Sequence, residues 1–413
     1  MNLIPEIVAT HAELTQWRRE LHAHPELAFE ESRTADFVVK QLQSCGIEVS
    51  RGVGKTGVVG TLKVGTSQKT IGLRADMDAL PMEELNTFEH KSRHPGCMHG
   101  CGHDGHTVML LAAARYLAQS KNFDGSVQFI FQPAEEANAT GSGAKAMIED
   151  GLFERFPVDT IFAMHNAPDL ALGAIATCPG PMTASMDLFD VTIHGKGTHG
   201  AQPHTGIDPV MIAAHLISAW QTVISRNVNA QESAVISATA INAGDSWNVI
   251  PHSAHIKGCA RTLSPEVRQL VQDRFITLTQ NIVEAFGAKA EIDYRLTMPV
   301  MINDVDQTTF VCDVAESIVG KQNVIRTLPA DMGSEDFAFM LQQKPGCYVC
   351  IGGADMPPSE TPVNEKGSDA KKILDHFTYR SACLLHEPTY DFNDKLLPIG
   401  ATLFARLAEH YLR

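Results

Sequence analysis

Acidic residues and a histidine follow three apolar stretches of this sequence. Asp78 comes just after TIGLRA, Glu135 and Glu136 come after SVQFIFQPA, and His165 comes after TIFAM. If the three stretches are parallel strands, their carboxyl ends meet at the edge of a sheet where α/β proteins bind ligands. One such residue alone is most simply a solvated turn residue. Three of them together predict a single polar pocket.

A cysteine and a histidine separated by one residue lie between the first two of these stretches. Cys101 and His103 belong to MHGCGHDGHT, a glycine-rich segment in which the backbone can turn tightly. A thiolate and an imidazole at this spacing can face one ion in an extended loop. Cysteine and histidine together suit Zn, Co, Ni or Mn better than Ca or Mg. The segment therefore predicts a transition-metal site.

The adjacent carboxylates Glu135 and Glu136 suit hydrolytic chemistry. One can bind a metal ion while the other accepts a proton from the attacking water. Adjacent glutamates are more often solubilising surface residues, but these two follow a fully apolar stretch. His386, in HEPTYDFND, is a further candidate ligand near the end of the sequence. Its residue type is the only support for it, because any one of the 18 histidines is most simply a surface residue.

The elements that would position these residues alternate between strands and helices, which predicts a layered α/β domain. A Pro/Gly-rich break at CPGPMTAS separates them from a β-α-β-β-α-β order over about 184–296, which predicts an inserted ferredoxin-like unit. We therefore expect residues 1–183 and 297–413 to form one discontinuous domain. The predicted strands are 58–64, 70–74, 126–131, 160–164, 188–194, 234–241, 253–261 and 290–296, and the predicted helices are 14–21, 32–45, 107–119, 144–150, 209–225, 265–286 and 397–412.

The composition excludes several classes of function. The chain has 413 residues, 33 Lys plus Arg against 48 Asp plus Glu, and a net charge of -15, which argues against binding nucleic-acid phosphates or anionic membranes. No stretch reaches the ~18–20 apolar residues of a membrane span, and no secretory signal is visible. Nine scattered cysteines do not suggest a disulfide framework. We expect a cytoplasmic protein.

These residues carry a resemblance to the amidohydrolase branch of the M20 metallopeptidases, the aminoacylase, hippurate-hydrolase and auxin-conjugate-hydrolase group. The resemblance covers nearly the whole chain in the order of the family's motifs. The matching stretches are RRELHAHPELAFEE, GLRADMDALPMEE, MHGCGHDGHT, FQPAEE, MHN, GKGTHGAQPH, WNVIPHSA, CARTL, GSEDFAFM and HEPTYDFND. It implies a catalytic domain of the zinc-peptidase type with an inserted lid and dimerisation domain.

The resemblance also implies roles for individual residues and two divalent metal ions (Zn, Mn, Co or Ni) as cofactors. Glu135 matches the general base, and Asp78 matches a carboxylate that orients and tunes the site. The residues that match the family's metal ligands are Cys101, His103, Glu136, His165 and His386.

Three residues of the inserted domain match positions that act on the substrate. His199 matches a histidine that reaches the active site of a neighbouring subunit and stabilises the oxyanion, which implies a homodimer. A monomer with a self-contained lid stays open as an alternative. Asn248 and Arg261 match positions that hold the free carboxylate of the substrate. An arginine suits a carboxylate because its planar fork can bind both oxygens.

The expected reaction is metal-dependent hydrolysis of the amide bond of N-acyl amino acids. Acetyl, benzoyl or indole-acetyl-like acyl groups are expected, and the substrate is a small molecule or a short peptide. The alternatives are a metal-dependent dipeptidase or carboxypeptidase, and a non-catalytic metal-binding scaffold. The segment 357–384 is longer than usual for this family, and the sequence assigns it no role.

Overall fold

A computed structural model describes residues 1–355 and 383–413, with the side chains of 138–140 left out. The chain divides into two compact units. The first unit comprises Met1–Gly180, Ile302–Pro329 and Phe339–Arg413, and the second comprises Pro181–Met301 and Ala330–Ala338. Most of the long segment 357–384 lies outside the described residues.

The first unit is built on an eight-stranded sheet, ordered β1-β2-β4-β3-β5-β16-β6-β15. Its central pairs β4/β3, β3/β5 and β5/β16 are parallel. The strands are β1 (Glu48–Val53), β2 (Gly57–Val64), β3 (Thr70–Asp76), β4 (Gly125–Gln132), β5 (Thr160–Ala171), β6 (Ile175–Ala176), β15 (Val324–Ile325) and β16 (Gly346–Ala354). Every residue of β4, which pairs parallel with β3 and antiparallel with β2, is buried, as expected of a strand in a sheet that is covered on both faces.

Helices pack on this sheet and enclose one hydrophobic core. The helices of the first unit are α1 (Pro5–Val8), α2 (His11–Ala23), α3 (Ser32–Ser44), α4 (His103–Ser120), α5 (Gly143–Glu149), α6 (Leu152–Arg155), α9 (Val305–Val319) and α11 (Leu397–Tyr411). The helix α4 is buried over most of its length and packs against α11. It is therefore a rigid support for the side chains at its N-terminus, which begins at His103.

The second unit is a ferredoxin-like fold with the antiparallel strand order β10-β12-β8-β13. Its helices pack against the sheet in a separate core around Trp220 and Phe275. The elements are β8 (Met186–His194), β9 (Thr198–His199), α7 (Pro209–Asn227), β10 (Ala234–Asn242), β11 (Val249–Ile250), β12 (Ser253–Thr262), α8 (Pro265–Ala285) and β13 (Lys289–Met298). Both helices begin with a proline after a capping residue, Asp208 or Ser264, whose side chain accepts backbone N–H groups.

Three short elements lie where the chain passes from one unit to the other: β7 (Gly180–Thr183), β14 (Met301–Asn303) and α10 (Phe337–Leu341). The expected fold class, a layered α/β domain with an inserted ferredoxin-like unit, is confirmed. The segment Ala330–Ala338 groups with the second unit rather than the first, because the backbone N–H of Ala184 donates to the carbonyls of Asp331 and Gly333. None of the helices described is long and apolar enough to cross a membrane.

Two local expectations are wrong. The helix expected from residue 107 begins at His103, so this histidine lies in the first helical turn and not in an extended loop. The strand expected to end at Met164 continues to Ala171, because its second half still pairs with β16. His165 therefore lies within a strand and not after its end.

Candidate metal centre

The Cys-x-His motif stands at the N-terminus of α4. Gly102 caps this helix with a φ of 91°, in the left-handed region that glycine adopts readily. A Cβ atom at this position would lie 2.3 Å from Oδ1 of Asn166, so the close approach also requires glycine. The turn at Gly102 places Cys101 and His103 on either side of it, and both side chains are buried.

Asp78 fixes the orientation of the His103 imidazole. The Nδ1 atom of His103 lies 2.9 Å from the carbonyl oxygen of Asp78 and 3.2 Å from its Oδ1. Both partners are acceptors, so Nδ1 carries the proton and Nε2 keeps its lone pair. That Nε2 atom is buried and has no hydrogen-bond partner among the described residues. A metal ion would satisfy it.

His165 is oriented in the same way. Its Nδ1 atom donates to the backbone carbonyl of Asn166 over 2.8 Å, which leaves the lone pair on Nε2. Nε2 lies 3.3 Å from Sγ of Cys101. A backbone or carboxylate acceptor behind the imidazole is the usual arrangement around metal-binding histidines.

The carboxylate of Asp78 also reaches the glutamate pair. Its Oδ2 atom accepts the backbone N–H of Glu136 over 2.8 Å, so one buried carboxylate contacts two candidate ligands. Glu136 Oε1 lies 3.2 Å from Nε2 of His386. His386 is exposed and has a φ of 64°, a left-handed conformation that is uncommon for a residue with a side chain. Its backbone N–H donates to the carbonyl of Gly100.

The ligand atoms form overlapping groups whose members lie within 4.8 Å of one another. One triad consists of Cys101, His103 and His165, and a second consists of Cys101, Glu136 and His386. The two triads share the sulfur of Cys101, which suits two ions side by side. Glu135 joins His103 and Glu136 in a third group, so it lies beside the ligands.

The chemistry of the donor set fits divalent cations. Burial raises the pKa of the Cys101 thiol well above its usual range, and the nearby carboxylates of Glu136 and Glu135 raise it further. The protein alone thus disfavours a thiolate here. A divalent cation would supply the positive charge that a thiolate needs, since metal binding displaces the thiol proton.

A chain of buried polar side chains behind the ligands was missed by the sequence reasoning. His106 lies one helical turn after His103, with Nδ1 2.6 Å from Oδ1 of Asp76 and Nε2 2.7 Å from Oδ1 of Asn166. Asn166 in turn donates to the hydroxyl of Tyr390 over 2.6 Å. The spacing of three residues between His103 and His106 was the available signal, because such residues share a helix face.

Glu31 is a second buried group that the sequence did not reveal. It accepts the backbone N–H of Ala134 over 2.8 Å, and Ala134 has a φ of 51° immediately before the glutamate pair. Burial raises the pKa of Glu31 to about 7. Glu31 therefore stabilises the left-handed turn from which Glu135 and Glu136 project.

The remaining candidates belong to the second unit. His199 and Asn248 are exposed neighbours, because β9 pairs with β11 and Gly200 donates its N–H to the Asn248 carbonyl. The backbone N–H of Ala201 donates to Nδ1 of His199 over 3.1 Å, so the neutral imidazole carries its proton on Nε2, where it can be donated. Arg261 lies on β12, and its Nη1 donates to the carbonyl of Met332 over 2.9 Å.

The fold and the site together define a class: an α/β protein whose Cys, His and Glu side chains are grouped as divalent cations require, beside the carboxylate of Glu135. The chain belongs to peptidase family M20/M25/M40, whose family model matches residues 72–374.

Individual relatives agree with this assignment. The chain is 41% identical to the hippurate hydrolase of Campylobacter jejuni over 413 residues, which is all of both chains. It is 39% identical to the N-acetylcysteine deacetylase of Bacillus subtilis over 404 residues, which is 97% of each chain. Among solved structures, it superposes with a TM-score of 0.80 on the B. subtilis YXEP protein, described as a dinuclear metal binding peptidase from the M20 family. That structure is 32% identical, and 98% of each chain is covered.

Proposed function

We propose that this protein is a metal-dependent amidohydrolase that cleaves the amide bond of N-acyl amino acids, releasing the amino acid and a carboxylic acid. The observation that carries the proposal is the position of Glu135 beside two ligand triads that share Cys101. Relatives named for hydrolysis of hippurate and deacetylation of N-acetylcysteine support the substrate class.

The ligands Cys101, His103, Glu136, His165 and His386 would hold two divalent ions, which when bound polarise the scissile carbonyl and lower the pKa of water. Glu135 accepts the proton of the attacking water and later passes it to the leaving amine. Its neighbour Glu136 is held by His386 and, through its backbone, by Asp78. Asp78 acts as a positioning residue, because it touches His103 and Glu136 but lies behind them.

We assign the second unit to substrate binding and oxyanion stabilisation. His199 has a proton on Nε2 to donate to the developing negative charge. Asn248, which is adjacent, and Arg261 hold the free carboxylate of the amino acid. Following the family resemblance, His199 would serve the active site of a second subunit, so we propose a homodimer in which this unit closes over the substrate.

The donor set indicates which metals the site would bind, and the cysteines indicate the cellular compartment. Thiolate, imidazole and carboxylate ligands suit Zn, Mn, Co or Ni, and availability selects among them. All nine cysteines lie within the described residues and none is in a disulfide. This supports a reducing cytoplasm.

Two other functions compete with this one. A dipeptidase or carboxypeptidase would use the same ions and base on a peptide bond. A non-catalytic scaffold would be expected to have lost a ligand or the base, whereas this chain retains all five ligands and both glutamates. We therefore rank the scaffold last.

The test is release of the amino acid from hippurate, N-acetyl-amino acids and dipeptides by metal-stripped protein to which Zn, Mn, Co or Ni is added. Metal-dependent release from the N-acyl compounds is expected, and their ranking would define the acyl pocket. Release from dipeptides alone would favour the peptidase. No release while metal is bound would favour the scaffold.

A further inference from the structure

A cluster of charged side chains lies behind the candidate metal centre, outside the ligand set. Two of its members come from one face of α2, Arg18 and His22, four residues apart, and both are fully buried. Its buried members are Arg18, His22, Glu84 and Asp104, and its partly exposed members are Asp391 and Asp394.

Arg18 joins two segments that are far apart in the sequence. Its Nε donates to Oδ1 of Asp394 over 2.8 Å, and its Nη1 donates to Oδ1 of Asp391 over 2.7 Å. The same Nη1 lies 3.7 Å from Oδ2 of Asp104. Arg18 thus links the segment that follows His386 to the first turn of α4.

His22 extends the cluster on the α4 side. Its Nδ1 lies 2.8 Å from Oδ2 of Asp104, and its Nε2 lies 3.3 Å from Oε1 of Glu84. Asp104 directly follows the candidate ligand His103. Arg18 and His22 are therefore both in contact with the carboxylate next to that ligand.

The two segments that Arg18 joins differ in how firmly the rest of the fold holds them. His103 and Asp104 belong to α4, an 18-residue helix that is buried over most of its length. In contrast, 383–393 contains no helix or strand, so its position depends on individual hydrogen bonds and on the buried side chains of Tyr390 and Phe392. Two of these are backbone bonds, from His386 to Gly100 and from Leu85 to Pro388.

We infer that Arg18 is a positioning residue for the second metal ion, the one assigned to Cys101, Glu136 and His386. Through Asp391 and Asp394 it holds the irregular segment against α2, and so keeps Nε2 of His386 beside Glu136. The first triad, whose histidines lie on α4 and β5 and whose cysteine directly precedes the cap of α4, does not need this support. The inference rests on the proposed function, since it requires two bound ions.

The energetics favour a positional role over a purely stabilising one. Burying an arginine with several carboxylates costs desolvation energy, so such a cluster contributes little stability compared with apolar packing of similar volume. Its geometry instead fixes which segments meet. Residues behind metal ligands typically change metal affinity by about 10–100-fold when they are replaced.

The experiment is a calorimetric titration of metal-stripped, full-length protein with Co²⁺, comparing Arg18→Lys with Arg19→Lys. Arg19 is a matched control, because it is the next residue and contacts the same Asp394, but from the exposed side. His386→Ala identifies the binding step that belongs to the second ion. The melting temperature of each metal-free variant is recorded to separate stability from metal affinity.

We expect Arg18→Lys to weaken the step lost in His386→Ala by about 10–100-fold and to leave the other step unchanged. Arg19→Lys should match the wild type in both steps. In the double variant Arg18→Lys/His386→Ala, the remaining step should equal that of His386→Ala alone. A lower melting temperature with both steps unchanged would overturn the inference, as would equal weakening of both steps.

Asp391→Asn provides a second route if Arg18→Lys does not fold, since Asp391 is partly exposed and its loss leaves Arg18 bound to Asp394. The same selective weakening is expected, and unchanged affinity would overturn the inference. If the wild type binds two ions and the variants bind them equally well, only this inference is refuted. A wild-type protein that binds no pair of ions refutes the proposed function itself.

Discussion

The candidate functional residues of the two units differ in how they are held. In the first unit, His103 and His165 each have one ring nitrogen fixed by an acceptor, and the other directed to the ligand cluster. In the second unit, His199 and Asn248 are exposed on a short two-stranded ribbon. One group is pre-organised within a core, and the other is presented at a surface.

This difference indicates a division of labour. Buried, oriented ligands suit ions, whose coordination tolerates little displacement. Exposed donors suit a substrate that must enter and leave, because their partners arrive only with it. We therefore expect variants in the first unit to change metal binding or the proton transfer, and variants on the ribbon to change turnover while metal stays bound.

The largest effect is expected for Glu135→Gln. Loss of the general base should lower kcat by about 10²–10⁴-fold, while the metal content stays near the wild-type value. Turnover of hippurate and metal content by atomic spectroscopy would be measured together. Glu149→Gln, on the exposed surface of α5, is the control. A near wild-type rate for Glu135→Gln would refute the assignment of the base.

His199→Ala tests the other side of the comparison. Removal of an oxyanion donor should lower kcat by about 10²–10³-fold and leave both ions bound. His204→Ala, at an exposed histidine nearby in the sequence, should retain full activity.

Mixing His199→Ala with Glu135→Gln subunits tests whether His199 acts across a dimer. In a mixed dimer, one site would combine an intact Glu135 with the partner's intact histidine, so activity should return when the two variants are mixed. No recovery in a mixture shown to contain mixed dimers would contradict action between subunits.

Asp78→Asn should have an intermediate effect, on metal affinity. The neutral amide keeps the shape but loses the carboxylate that orients His103 and accepts the N–H of Glu136. Affinity for Mn²⁺ or Co²⁺ should fall by about 10–100-fold. Excess metal should then restore much of the activity, which Glu135→Gln would not show. Failure of added metal to restore activity would indicate that Asp78 takes part in the chemical step.

The smallest effect on turnover is expected from titration of His22. Burial lowers the pKa of His22, but hydrogen bonds to Asp104 and Glu84 outweigh it and raise the pKa from 6.5 to about 9. A raised folded-state pKa means that protonation stabilises the fold. The contribution is complete below pH 6.5 and is lost as the pH rises through about 9.

The free energy of unfolding of the metal-stripped protein would be measured from pH 6 to 10 for wild type, His22→Gln and the surface control His194→Gln. Across this window, the free energy of unfolding of wild type and control should fall by about 2–3 kcal/mol more than that of His22→Gln. Parallel pH curves for all three proteins would show that His22 is not protonated in the fold.

Sequence reasoning predicted the alternation of elements, the inserted ferredoxin-like unit and the types of residue that would bind metal. It was wrong about local geometry at two candidate ligands. His165 lies within β5 because NAPDLA, despite its proline and asparagine, still pairs with β16. His103 opens α4 because Gly102 adopts a left-handed conformation that lets the helix begin four residues earlier than expected.

By itself, the sequence determined the chemistry that is available: a thiol, imidazoles and adjacent carboxylates in segments whose apolar patterns dictate strands and helices. Only the tertiary structure decided which of their atoms come together at the candidate metal site. The acceptor behind each imidazole sets which nitrogen is free, as Asp78 does for His103. Arg18 meets Asp391 and Asp394 across more than 370 residues of chain. Such contacts depend on packing between distant segments, and no local pattern of residues encodes them.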